Sequence, residues 1–244
     1  MLATAFHDLL EFCLAAECGA CGAPADKEGF LCPVCSAALD RLIDEPACDR
    51  CGMPLAAEGT SCVWCRGKGQ PHYDRIVALG RFDEPLKGLI HRVKYGGQWT
   101  TAERLAMRLL DMPRAACLLS EADRIVPVPL HPNRQFSRGF NQAEVIARQL
   151  DRRRVVRPAV RRRNTATQTQ LRSRARRVEN LRGAFSLIDP ESIAGKHIVV
   201  VDDVTTSGAT LREMARTLVA ANPASLSAIV LAVADPKGRD FQAV

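Results

Sequence analysis

At 244 residues, the chain is long enough for one large domain or for a small domain joined to a medium one. Apolar residues make up 47%, enough for a core, yet the longest apolar run, in Ala228–Ala234, falls far short of the ~20 residues that span a bilayer. The net charge of +7 hides an asymmetry: residues 1–70 carry 5 Lys and Arg against 10 Asp and Glu, whereas residues 131–182 carry 15 Arg against 3 acids. Such a split indicates distinct regions and an anionic ligand for the basic one.

The first 17 residues, "MLATAFHDLLEFCLAAE", space Leu2, Ala5, Phe6, Leu9, Leu10 and Cys13 as one face of an amphipathic helix. They carry Asp8, Glu11 and Glu17 and no early positive charge, so no secretory signal is expected and the chain is expected to be cytoplasmic, without a membrane span.

Eight of the ten cysteines follow as four C-x2-C pairs: Cys18/Cys21, Cys32/Cys35, Cys48/Cys51 and Cys62/Cys65. The same ten-residue gap separates Cys21 from Cys32 and Cys51 from Cys62, so a 30-residue unit occurs twice. Two thiolates two residues apart sit on one tight knuckle, and a second knuckle completes a tetrahedral four-sulfur Zn²⁺ site. Gly22 and Gly52 directly follow two of the pairs and supply the positive φ that a knuckle needs. Disulfides compete only in a secretory context, which is not seen. Two pairings satisfy the spacing: adjacent pairs within each repeat, the simpler, or a cross-brace of the first pair with the third. Either way one or two closed, structural Zn²⁺ sites are expected, since four cysteines leave no open position. Residues 1–70 thus form a zinc-binding module and residues 71–244 a second domain. Cys13 and Cys117 stand apart and read as small buried side chains.

Beyond the "RGKGQPH" hinge, Arg75–Phe82 reads as a strand. Leu86, Leu89, Ile90 and Val93 take helical spacing before the Gly96–Gly97 stop. Leu105–Leu110 continue a second helix. Asp123–Leu130 is a strand running into a proline-punctuated loop. Asn141 and Glu144 open a helix in a capping-box pattern. "GAFSLI" and "HIVVV" are strands. Leu211, Met214, Ala215, Leu218 and Val219 share a helix face, and "LSAIVLAVA" is a buried strand. Apolar strands alternating with helices predict an α/β fold with a parallel sheet.

Within that fold, "KHIVVVDDVTTSGATLREM", Lys196–Met214, carries the chemistry. Ile198–Val201 are buried strand, so Asp202 and Asp203 emerge at the carboxyl edge, where open α/β sheets bind ligands. Thr205–Thr210 then enter a helix whose N-terminus offers unpaired N–H groups to an anion. The competing reading is a plain helix cap of Thr210 with Glu213. Acids for vicinal hydroxyls or a metal, beside a loop for a phosphate, are what a ribose 5-phosphate needs. Neither G-x4-GK[ST] nor G-x-G-x-x-G after a strand occurs.

"VVVDDVTTSGAT" resembles the PRPP-binding signature of type I phosphoribosyltransferases. "LIHRVKYGG", "VPVPLHPNRQFSRGFNQAE", "TATQTQLRSRARRVENLRGAF" and the doubled cysteine front resemble the ComF family of competence-associated proteins, in the same order along essentially the whole chain. The resemblance implies a phosphoribosyltransferase-like parallel sheet flanked by helices behind an N-terminal zinc ribbon. It implies that Asp202 and Asp203 hold the ribose hydroxyls, directly or through Mg²⁺. It implies that Thr206, Ser207, Gly208, Ala209 and Thr210 cradle the 5-phosphate of PRPP or a nucleotide monophosphate, and that Pro129–Arg134 form the pyrophosphate loop. Arg138, Gly139 and Phe140 would belong to a mobile closing loop, with Arg134 or Arg138 as the cationic clamp. Arg75–Gly97 would form a hood over the acceptor. Lys94, Gln168, Arg177 and Asn180 match family positions without an assignable role.

Two functions follow as expectations: phosphoribosyl transfer tied to DNA uptake or nucleotide salvage, or a non-catalytic protein of natural transformation that binds single-stranded DNA and a helicase-like partner. The arginines of 148–182 motivate the second. The lack of any aromatic between Asn141 and Ala184 opposes it, because bases would find no stacking platform there.

Overall fold

The computed structural model describes residues 17–25, 30–164 and 179–234. The expected N-terminal helix and Cys13, Gln168 and Arg177 lie outside them. Four strands, β1 (Ile76–Arg81), β2 (Arg124–Pro127), β5 (His197–Thr205) and β6 (Ser225–Val233), form one sheet in the order β1-β6-β5-β2, every pairing parallel. The helices are α1 (Pro33–Asp44), α2 (Leu86–Tyr95), α3 (Trp99–Leu110), α4 (Pro113–Glu121), α5 (Pro132–Arg138), α6 (Gln142–Asp151) and α7 (Ala209–Leu218). The α/β expectation holds, with one correction. The "GAFSLI" strand, β4 (Phe185–Leu187), pairs antiparallel with β3 (Ala159–Arg161) in a separate ribbon and does not join the parallel sheet.

Pleating divides the core in two, since successive strand residues face opposite sides. Val77, Leu79, Ile125, Val199, Val201, Ile229 and Leu231 meet α1, α2, α3, α4 and α6 on one face. Ile76, Ala78, Val126, Ile198, Val200, Ala228 and Val230 meet α7 and the β3–β4 ribbon on the other. Near-continuous β-branched runs are what a sheet covered on both faces requires.

The cysteine repeats pack on the same two layers, one on each side of edge strand β1. Cys18, Leu31, Cys32, Leu39 and Leu42 join the first layer, and Cys48, Cys51, Met53 and Cys62 the second. Gly80 is where the first repeat's α1 crosses β1: a Cβ there would lie 3.2 Å from the Leu42 carbonyl oxygen. The free edge of β1 is met by the second repeat, where the Ile76 N–H donates to the Asp49 carbonyl at 3.3 Å.

Some local expectations needed revision. Cys117 is exposed on the outward face of α4, its Sγ 3.6 Å from Glu121 Oε1. The segment read as a loop after β2 winds into α5, started by Pro132 at its first turn and ended by Gly139 at φ 79°. Arg138 therefore sits in the last helical turn rather than in an open loop. Asn141 caps α6 by accepting from the Ala143 N–H, but Glu144 does not close the box. It binds Arg148 and Arg157 instead.

Candidate functional site

Both cysteine clusters pair adjacently, Cys18/Cys21/Cys32/Cys35 and Cys48/Cys51/Cys62/Cys65, each with its ligand atoms within 4.8 Å of one another. Sulfurs lie 3.8 Å apart for Cys21–Cys32 and Cys48–Cys65, and 3.6 Å for Cys51–Cys62. That is the edge of a tetrahedron whose centre lies about 2.3 Å from each sulfur, or about 3.8 Å, which fits Zn²⁺. None of these sulfurs is in a disulfide.

The repeat extends to single hydrogen bonds. Gly22 and Gly52 donate to the carbonyls of Cys18 and Cys48, and Ser36 and Arg66 to those of Cys32 and Cys62. Gly22 and Gly52 stand at φ 78° and 72°. Burial opposes ionisation of Cys18, but N–H groups of Cys21, Cys32 and Ala20 aimed at its sulfur outweigh it and hold the thiol at about 6. Both sites are closed and contain no His or carboxylate among the described residues, so their chemistry is structural.

The second site arises where β2 leaves the sheet. Strand β5 pairs with β2 only as far as Val201, opposite Pro127, while its pairing with β6 continues to Thr205. Beyond Val201 one side of β5 is therefore open, and Asp202 and Asp203 stand on that overhang. The strand thus runs further than its apolar residues suggested, and alternation aims the two acids at different layers. Asp203 meets Lys94 of α2, with Nζ–Oδ1 at 3.2 Å. Asp202 faces the layer of Tyr73 and Arg161, and its carboxyl is raised to about 7 by burial and by the Asp203 charge, against the opposing pull of Lys94 and Arg161.

A cavity of about 200 Å³ opens here, lined by both acids, Thr206, Thr210, Lys94, Tyr95, Arg134, Arg138, Gln142 and Arg161, among others. Three arginines thus converge on one small space. Burial and the neighbouring charges of Arg134 and Arg138, against the Asp202 pull, lower Arg161 to about 10, and burial with Arg138 lowers Arg134. A cluster of like charges that depresses its own members favours an anion between them. Arg138 is fixed by Nη1 donating to Gln142 Oε1 at 3.1 Å and lies 5.7 Å from the centre of the Tyr95 ring.

The 206–210 loop closes the cavity's end. Gly208 takes φ 70° at the N-cap of α7 and has no side chain with which to cap it. Thr210 lies inside α7, whose N-cap is Gly208, and Glu213 accepts from the Gly183 N–H, so Thr210 is not the helix cap that the simple reading required. Ser207 Oγ is buried without a hydrogen-bond partner among the described residues, a donor left for something the loop would hold.

Of the residues expected at the site, Asp202, Asp203, Thr206, Thr210, Arg134 and Arg138 come together on the cavity, with Ser207, Gly208 and Ala209 in the adjoining turn. Asn180 does not line it. Arg161, Gln142 and Tyr95 were not expected to. Arg161 was hidden in a run of three arginines, and only β3 turns it inward while Arg162 and Arg163 stay exposed.

A four-stranded parallel sheet with an acid pair and a hydroxyl-rich turn at its carboxyl edge, behind two four-cysteine clusters, defines a phosphoribosyltransferase-type domain joined to a double zinc ribbon. Comparison with known proteins agrees. The phosphoribosyl transferase domain matches residues 137–242 and the double zinc ribbon domain residues 9–66. The DNA utilization protein YhgH of Escherichia coli K12 is 36% identical over 195 residues, covering 77% of this chain and 83% of that protein. Competence protein F of Haemophilus influenzae is 35% identical over 198 residues, covering 76% and 83%. Competence protein ComFC of Bacillus subtilis is 36% identical over 96 residues, 38% and 37% of the two chains. The chain belongs to the ComF family.

Proposed function

We propose that this chain binds a ribose 5-phosphate ligand, PRPP or a nucleotide monophosphate, in the cavity at the end of β5, and that it carries out phosphoribosyl transfer. The observation that carries the reading is the convergence of Asp202, Asp203 and three arginines beside the uncapped start of α7. Asp202 and Asp203 face the ribose hydroxyls. The turn at 206–210 takes the 5-phosphate on its N–H and hydroxyl groups. Arg134, Arg138 and Arg161 take the diphosphate.

In the reaction, the bond from the anomeric carbon to the diphosphate oxygen breaks, and the acceptor's lone pair forms the new bond to that carbon. Charge grows on the leaving group, so fixed cations aimed at it lower the barrier most. Mg²⁺ held by Asp202 and Asp203 would supply further charge neutralisation on the ligand oxygens. Tyr95 and Phe82 flank the cavity on the side of the expected hood, where a planar acceptor would stack. The setting is inside the cell, where PRPP and nucleotides are found. Incubation with PRPP, Mg²⁺ and a panel of bases and amines tests turnover: diphosphate release in the wild type, lost in Arg138→Ala with thermal stability retained, is the expected result. Equal release by the variant refutes the clamp.

A second reading, contact with single-stranded DNA in natural transformation, is favoured by one observation. Exposed aromatics occur near the cavity's basic residues in the chain: Tyr95 lines the cavity, Trp99 opens α3, and Phe136, 94% exposed, sits on α5 with Arg134 and Arg138. Base stacking on such side chains tolerates any sequence. The 148–163 arginines support this less than their number suggests. Arg148 and Arg157 bind Glu144, and Arg154 binds Asp151 and the carbonyls of Leu119 and Ala122. A salt titration of oligonucleotide binding to wild type and Phe136→Ala decides it. An unchanged affinity removes Phe136 as a stacking platform for DNA.

A further inference from the structure

The segment that leaves the second ribbon does not simply lead to β1. It runs from Cys65 to Tyr73 through four left-handed positions, Arg66, Gly67, Gly69 and His72, at φ 49°, 75°, 64° and 68°. Non-glycine residues in that region are costly and persist only where their surroundings hold them. Two anchors do so on the ribbon side. The Gly69 N–H lies near enough to the Cys65 sulfur to favour its thiolate, and Gly69 packs on Arg50, where a Cβ would meet the Arg50 carbonyl oxygen at 3.2 Å.

The other end of the segment reaches the turn at 206–211. The Gln70 carboxamide lies over Gly208, with Nε2 only 2.4 Å from where a Gly208 Cβ would stand. Arg212 Nη2 donates to Gln70 Oε1 at 3.5 Å and to the Ser207 carbonyl at 3.4 Å, so one guanidinium bridges the segment and the turn. Three residues on, the buried Tyr73 hydroxyl donates to the Leu211 carbonyl at 2.9 Å. Burial and the nearby Asp202 charge keep that phenol protonated and therefore a donor. No comparable contact ties the first cluster to this turn among the described residues. Its cysteines join the opposite face of the sheet.

We propose that Gln70 and Tyr73 are positioning residues for the 206–211 turn, supplied by the second zinc ribbon, so that the shape of the ligand site depends on metal in the second cluster and not in the first. The ribbon is then a working part of the site. Cys65 orders Gly69, Gly69 sets Gln70, and Gln70 with Tyr73 holds the backbone whose N–H groups face the cavity. It also gives Gly208 a second reason to be glycine, because any side chain would displace the Gln70 amide. The predicted effect on affinity rests on reading that turn as the phosphate cradle; the effect on backbone order does not.

Hydrogen–deuterium exchange on the full zinc-loaded chain tests it. Gln70→Ala with Tyr73→Phe should speed exchange at Ser207–Arg212 at least tenfold, with β6 and α6 unchanged. Cys65→Ser should raise exchange at Ser207–Arg212 beyond any rise in β6 and α6, and Cys21→Ser should not. Unchanged exchange at Ser207–Arg212, or an equal increase across the whole sheet, overturns the proposal. Calorimetry with ribose 5-phosphate should show affinity about tenfold weaker in the double variant. If the wild type takes up no ribose 5-phosphate while exchange at the turn still rises, the phosphate reading fails and the positioning role stands.

Discussion

Lys94 Nζ lies 3.2 Å from Asp203 Oδ1, joining α2 to the open end of β5, with both side chains largely shielded from water. The lysine thus neutralises one acid of the pair by direct contact and acts on the other only at longer range. Lys94→Met should leave Asp203 without the cation that contacts it, beside the buried Asp202. We expect a loss of about 1–3 kcal/mol at pH 8, much reduced at pH 5, where Asp202 is protonated. Thermal denaturation at the two pH values checks this, and an equal loss at both contradicts it.

Asp202 itself gives the ligand-free protein a pH dependence. Its folded-state value of about 7 is above that of an unfolded aspartate, so its contribution to stability is fully present below about pH 4 and is lost as pH rises through about 7. Asp202→Asn should raise the melting temperature at pH 8, by the equivalent of about 2 kcal/mol, and change it little at pH 4. A destabilised Asn variant at pH 8 without Mg²⁺ would show that the carboxylate is not held against a penalty.

Each chain should carry two Zn²⁺. Replacement of Cys51, buried in the second cluster, by Ser should leave one. Structural zinc supplies about 10–16 kcal/mol in small modules, and this ribbon shares a core layer with α7 and β6, so the variant should melt well below the wild type. Metal analysis of the purified proteins measures the count. A single metal in the wild type would contradict a zinc ion in each cluster.

The arginine run should divide by position. Arg161→Gln should weaken PRPP binding about 10- to 100-fold, the effect of removing one charge-assisted hydrogen bond from a shielded site. Arg152→Gln with Arg153→Gln, both exposed, should leave it unchanged. Calorimetric titration distinguishes them, and equal effects would place Arg161 with the surface charges.

The α/β fold and the eight cysteine metal ligands were legible because their signals are local. Ile198–Val201 and Ala228–Val233 can only be strands buried on both faces, and C-x2-C spacing dictates a knuckle. Adjacent pairing was the simpler reading of the spacing and is the one found, but spacing left the cross-brace open, because the choice depends on which knuckles the fold brings together. Arg161 was not legible, because its inward turn comes from the β3–β4 pairing across a connection of more than twenty residues. Asp202 and Asp203 were readable as a pair. Their division between two layers was not, since it follows from β5 continuing as strand past Val201, held by β6 alone.

The central claim is that the overhanging acids and the turn after them grip a ribose 5-phosphate. Isothermal calorimetry of PRPP with Mg²⁺ against the wild type, Asp202→Asn with Asp203→Asn, and Cys117→Ala as a surface control tests it directly. Saturable one-to-one binding in the wild type and control, abolished or weakened at least a hundredfold in the double Asn variant, is the predicted result. No heat in the wild type, or equal binding by the double variant, would contradict it.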